Sequence, residues 1–182
     1  MAAHHVELLQ AARLLVQRSP GQRGRLSGAR VRRAISTAYY ALFGFLMKEV
    51  SDRVVGTEGR LLVRRRMFAR MMSHAGMKAA FEKVRSRTLD NAVEAFLHRP
   101  PAAAVVPRFA RDLAVVFCDA QAKRHDADYD MNAALSEADA ALLIRRVDQA
   151  ITQWSAAVDP ISRDFKHALC LLLLFKGRLR TD

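Results

Sequence analysis

A chain of 182 residues with a formal charge of +12 is long enough to bury a conventional core in one domain. The amino terminus lacks a basic leader with an apolar stretch and cleavage site, and the longest apolar run, residues 168–175, is too short to cross a bilayer. A cytoplasmic protein with no membrane partner is therefore expected, and its two cysteines, Cys118 and Cys170, sit in apolar helical patterns that read as buried thiols.

The charge is unevenly placed. Residues 1–90 carry 18 Lys+Arg against 6 Asp+Glu and residues 91–182 carry 12 against 12, so the whole excess lies in the first half. A one-sided cationic surface is the usual electrostatic footprint of nucleic-acid binding. A solvated set of arginines is the plainer alternative.

In chain order, Val6, Leu9, Ala12, Leu14 and Val16 predict a first helix ending before Ser19-Pro20-Gly21. Ser27 is a suitable cap for a second helix, in which Val31, Ile35, Ala38, Leu42 and Phe45 recur at three- and four-residue steps to about Val50. Gly56 and Gly59 precede a basic helix over 61–72, whose Arg64, Arg65 and Arg66 diverge by about 100° per residue and so cannot all point inward. Helical pattern resumes after His74-Ala75-Gly76 through Val84 and weakly over 90–97; Pro100, Pro101 and Pro107 then make a break, read as a loop.

From Pro107 a long helix is predicted, with Leu113, Val116, Phe117 and Ala120 inward. Ser136-Glu137-Ala138-Asp139 resembles a capping box opening a helix that carries Leu143, Val147, Ile151 and Trp154. Asp159-Pro160 starts the last helix, and its run 169–175, apolar on all sides, is expected to be buried or at an oligomer contact. With no strand-like alternation, the fold class is all-α, an antiparallel helical bundle.

Two segments pack polar groups into apolar helical patterns. Arg33-Ala34-Ile35-Ser36-Thr37-Ala38-Tyr39-Tyr40-Ala41-Leu42-Phe43 resembles the second-helix signature of HEPN domains, in a branch with an R-x-x-S-x-A-Y-Y-A-x-F run. His74-Ala75-Gly76 is similar to that branch's H-x-G element, and Arg124-x-x-Ala127-Asp128-Tyr129 to its R-x-x-A-D-Y element. The resemblance covers about residues 28–155 of a single HEPN-like domain, with a C-terminal helix over 160–177 as an addition. It implies a small helical bundle that dimerises and binds RNA. In many members it also implies a metal-independent endoribonuclease of a toxin–antitoxin or defence system, beside a nucleotidyltransferase-type antitoxin. Other members are non-catalytic binders of RNA, nucleotides or such a partner.

The nuclease members carry an Arg and a His separated by four to six intervening residues, and no histidine here has an arginine five to seven positions before it; the nearest substitutes are Arg70 before His74, Arg163 before His167 and the adjacent Arg124-His125. The nearest catalytic candidates are Arg124 to steady phosphate charge and His125 or Asp128 to move protons, with residues of a facing protomer completing the site. Gln121, Arg124, His125 and Asp128 share i, i+3, i+4, i+7 spacing, so a homodimer would gather two such sets about its axis. The RNA-binding candidates are Arg32, Arg33, Ser36, Tyr40, Arg64, Arg65, Arg66 and Tyr129.

Each of these has a structural alternative. Arg124 and Asp128 can form an i, i+4 ion pair, Tyr39 and Tyr40 can be core aromatics, Ser36 can serve close helix approach, and His74 can be a helix-start residue. Asp126, Asp128, Asp130 and Glu137 match most ligand positions of a calcium loop, but Met131 occupies the position that needs glycine for the sharp turn, and Ala133 is too small at the eighth. No metal or cofactor is expected.

Overall fold

In a computed structural model of the chain, the described residues are 4–18, 21, 24–86, 97 and 106–175. Among them all regular structure is helical: α1 (His4–Val16), α2 (Gly28–Val55), a 3-10 turn (Gly59–Leu61), α3 (Leu62–Met71), α4 (His74–Arg85), α5 (Arg108–Tyr129), α6 (Glu137–Ala156) and α7 (Pro160–Leu174). The expected weak helix over 90–97 and the Pro100-Pro101 break lie outside the described residues.

The helix starts follow from side chains that satisfy free backbone donors. Ser136 and Asp139 form the expected box reciprocally: the Asp139 N–H donates to the Ser136 hydroxyl at 3.1 Å, and the Ser136 N–H donates to the Asp139 carboxylate at 3.2 Å. Asp159 accepts from the Ser162 N–H at 3.0 Å ahead of Pro160. His74 opens α4, as the plainer reading held, but the cap is Ser73, whose hydroxyl accepts from the Gly76 N–H at 3.2 Å.

The second helix runs five residues past Val50, to Val55, where Gly56 adopts φ +101°. A Cβ there would meet the Leu61 side chain at 3.2 Å, so glycine serves both the backbone conformation and the close approach.

The chain divides into two compact units, Met1–Phe45 with Val116–Thr152, and Leu46–Val115 with Gln153–Asp182. The first is built on α1, the amino-terminal part of α2, the end of α5 and most of α6. Its core holds Leu9, Val31, Ile35, Tyr39, Leu42, Phe117, Leu143 and Val147, all buried. Tyr39 packs at 5.7 Å from the Phe117 ring.

The second unit contains α3, α4 and α7 with the remaining parts of α2, α5 and α6, and buries Leu46, Met77, Phe81, Leu113, Trp154, Phe165 and Leu169. The apolar run of α7 is buried from Leu172 to Leu174, while Phe175 is exposed. Both cysteines are buried and neither is in a disulfide, and burial pushes the Cys170 thiol up to about 12, which keeps it protonated and inert.

Lys166 is buried in the second unit and donates to the carbonyls of Trp154 and, at 2.6 Å, Ala157. It thereby satisfies the open C-terminal end of α6, where a cation also meets the negative end of the helix dipole. Its ammonium lies 5.2 Å from the centroid of the Trp154 ring and 5.6 Å from that of Phe109, and burial, with Arg53 nearby, lowers its pKa.

Candidate functional site

Arg32, Ser36 and Tyr40 occupy i, i+4 and i+8 on α2 and so line one stripe of that helix. All three bond to the last turns of α5 within the first unit, and the partners descend as the α2 numbers rise. The two helices are therefore antiparallel here.

Arg32 occupies the C-terminal end of α5. Its Nη1 donates to the carbonyls of Asp126, Ala127 and Asp130 at 3.1, 3.2 and 2.8 Å, and its Nη2 to those of Met131 and Ala133, both at 3.1 Å. These five acceptors occupy both terminal nitrogens of the guanidinium.

One step along α2, the buried Ser36 hydroxyl donates to the Asp128 carboxylate. The other oxygen of Asp128 lies 2.7 Å from Arg124 Nε, an ion contact rather than an aligned hydrogen bond. The third step joins Arg124 Nη2 to the Tyr40 hydroxyl at 2.9 Å. The same nitrogen reaches the Tyr129 hydroxyl at 3.4 Å.

Arg124 thus sits among two phenols and a carboxylate. Its guanidinium carbon is 5.5 Å from the centroid of the Tyr40 ring and 5.2 Å from that of Tyr129, within cation–π range of both. Burial opposes its charge, but Tyr40 and Asp128 outweigh that and raise its pKa. The His125 ring stacks obliquely on Tyr129, with centroids 5.2 Å apart. Tyr40, Tyr129 and His125 all present an exposed edge, while Tyr39 is fully buried and burial pushes its hydroxyl well above the ordinary phenol range.

The structure brings together Arg124, His125, Asp128, Tyr40, Ser36 and Tyr129, with Arg32 at the base of the group. Arg33, also on α2, is exposed, and Thr37 Oγ1 donates to its carbonyl at 2.7 Å. Arg64, Arg65 and Arg66 lie on α3 in the second unit; Arg65 pairs with Asp52 at 2.9 Å, while Arg64 and Arg66 are exposed.

Three of the four acidic residues that match a calcium loop hold different partners. Asp128 faces Ser36 and Arg124, Asp130 accepts from the Asn132 N–H, and Glu137 binds the Leu26 N–H and Arg18. Among the described residues no three His, Cys, Asp or Glu side chains converge as a metal-binding group.

No family model, no curated protein and no solved structure matches this chain.

Two relationships escaped the sequence. The span from Arg32 to the carbonyls near Asp130 is not local, and nothing in the α2 pattern distinguishes Arg32 from Arg33 except a position on the stripe shared with Ser36 and Tyr40. The helix pattern assigns Ser36 to close helix approach or to RNA, and does not show its bond to Asp128, which joins it to Arg124.

Proposed function

We propose that this protein is a HEPN-like RNA-binding module whose binding surface is the exposed end of α5, with Tyr129, Tyr40 and His125 as stacking platforms and Arg124 as the central cation. The observation that carries this reading is the Tyr40–Arg124–Tyr129 cluster, with both rings partly open to solvent. Aromatic faces stack on unpaired bases without regard to sequence, and an adjacent guanidinium adds attraction for the strand's charge. The basic excess of residues 1–90 supplies long-range capture.

In this reading the protein is cytoplasmic, and two copies pair their α5 ends so that two such clusters hold one strand, as the family resemblance implies. A nucleotidyltransferase-type antitoxin is the corresponding protein partner. The ribonuclease reading rests on His125, an exposed imidazole beside Arg124 and the side-chain type suited to proton transfer. Two facts weigh toward binding rather than cleavage: Asp128 already faces Ser36 and Arg124, and Arg124 must leave Asp128 before it neutralises a phosphate.

The test is incubation of purified protein with end-labelled single-stranded RNA in EDTA. Retention of intact RNA that weakens in Arg124→Ala supports the binding module. Cleavage that is lost in Arg124→Ala and His125→Ala moves the assignment to an endoribonuclease, and neither retention nor cleavage removes RNA from the proposal.

A further inference from the structure

The third helix presents an apolar row to solvent. Val63, Met67 and Met71 recur at i, i+4 and i+8, so they form one ridge spanning about 12 Å along α3. They are 68%, 63% and 54% exposed. Single exposed apolar residues are ordinary, but an aligned group on one short helix marks an interaction surface.

The orientation of the ridge is fixed from below. Arg65 pairs with Asp52 of α2 at 2.9 Å, and the Ser51 hydroxyl donates to the Arg65 carbonyl at 3.3 Å. These contacts tie the inner side of α3 to α2 and leave the opposite side outward. On a helical projection Arg66 and Arg70 then flank the ridge on one side and Arg64 on the other. All three arginines are exposed and hold no ion pair among the described residues.

On the inner side of α3, away from the ridge, a cavity of about 210 Å³ opens between α2 and α3. Met47, Leu62 and Ala69 give it apolar walls, and Lys48, Asp52, Arg65 and Arg66 line it, so it belongs to the α2–α3 packing and not to the outward face.

We infer that this face of α3 docks an amphipathic helix of a protein partner whose apolar side chains cover Val63, Met67 and Met71, and whose flanks carry Asp or Glu opposite Arg64, Arg66 and Arg70. Charge complementarity selects this occupant. A second copy of the chain would set arginines against arginines across a two-fold axis, which is repulsive. RNA would satisfy the arginines and leave the apolar ridge in water. A helix of 10 residues with only one apolar row is short for holding a bilayer surface. The inference is independent of the RNA reading, because it uses none of the α5 residues.

The experiment is selection of a random 16-residue peptide library, displayed on phage, against the full-length protein. The expected peptides carry apolar residues at three- and four-residue steps with acidic residues between them. They should lose at least tenfold in affinity against Met67→Asp and against Val63→Asp, two exposed positions whose folded state is checked by circular dichroism. Replacing Arg66 and Arg70 by Gln should weaken them and flatten their salt dependence. Absence of enrichment, peptides without acidic residues, or binding indifferent to both Asp variants overturns the inference. So does loss, in Met67→Asp, of dimerisation in sedimentation, of labelled-RNA retention or of binding to vesicles of mixed phosphatidylglycerol and phosphatidylcholine, since each assigns the ridge to another occupant.

Discussion

The Ser36 hydroxyl and the Arg124 guanidinium share one carboxylate: Asp128 accepts from the first through one oxygen and faces the second, at 2.7 Å, through the other. A buried residue of α2 thereby sets the position of the cation at the exposed end of α5. Ser36→Ala removes a hydrogen bond to a charged acceptor and should cost about 1.5–3 kcal/mol, read as a lower urea midpoint with unchanged slope. Ser36→Thr, which keeps the hydroxyl but adds a methyl to a buried site, should recover only part of that. A midpoint unchanged in Ser36→Ala would show that the bond contributes nothing.

Arg32 and Arg33 are adjacent in sequence and opposite in consequence. Arg32→Ala removes the donor shared by five carbonyls at and just past the end of α5, of which those of Asp126, Asp130 and Ala133 keep a backbone N–H, and should destabilise by about 1–3 kcal/mol, whereas Arg33→Ala at an exposed position should stay within about 0.5 kcal/mol. Arg32→Lys should behave much more like Ala than like wild type, because an ammonium cannot span the same fork of acceptors. Thermal melts of the three variants, run side by side, decide the matter.

Asp139 gives the acid side of the stability profile a specific contributor. The hydrogen bond from Lys123, then that from Ser136, lowers its pKa from 3.8 to about 2. A depressed carboxyl pKa stabilises the fold above the unfolded value and loses that contribution as pH falls through the folded one, so the window runs from about 4 down to about 2. With the side chain 35% exposed, solvent screening holds the effect to about 1 kcal/mol. The stability gap between wild type and Asp139→Asn should therefore narrow across that window in urea titrations, and a gap that stays constant would remove Asp139 as its source.

For the RNA reading, the ring of Tyr129 matters more than its hydroxyl, which sits at 3.4 Å from Arg124. Tyr129→Ala should weaken single-stranded RNA by about 1–3 kcal/mol, or roughly 5- to 150-fold, and Tyr129→Phe by less than about threefold. Filter-binding titrations at one fixed salt concentration compare the two. Equal losses would place the contribution in the hydroxyl instead.

The helical class and most helix starts were legible because their signals are local. Capping residues at fixed offsets, as at Ser136 and Asp139 or Asp159 and Pro160, announce themselves within four residues. The end of α2 was placed short although Gly56 was noted: a glycine in a positive-φ conformation ends the helix, but its φ depends on a backbone path that the sequence does not print. The polar set on α5 was also legible in part. The i, i+4 rule gave the Arg124–Asp128 contact, and the same spacing places His125 on Tyr129. The contributions of Arg32, Ser36 and Tyr40 were hidden because they act across 84 to 101 residues of chain, where periodicity carries no information about which helix lies opposite. Lys166 is the same case: a lysine just ahead of the apolar run 168–175 is held in the core by the carbonyls of Trp154 and Ala157, which no local pattern names.

The distribution of fluorophores is a practical consequence of how the core is shared out. The chain's single tryptophan, Trp154, belongs to the second unit, 1% exposed, with its indole N–H donating to Glu49 at 2.7 Å. All three tyrosines, Tyr39, Tyr40 and Tyr129, belong to the first. Selective excitation of the indole therefore reports on one unit, and tyrosine emission from a Trp154→Phe variant reports on the other. Superimposable melting traces would make the molecule a single cooperative entity, and separated traces would assign each unit its own melting temperature, all without an added dye.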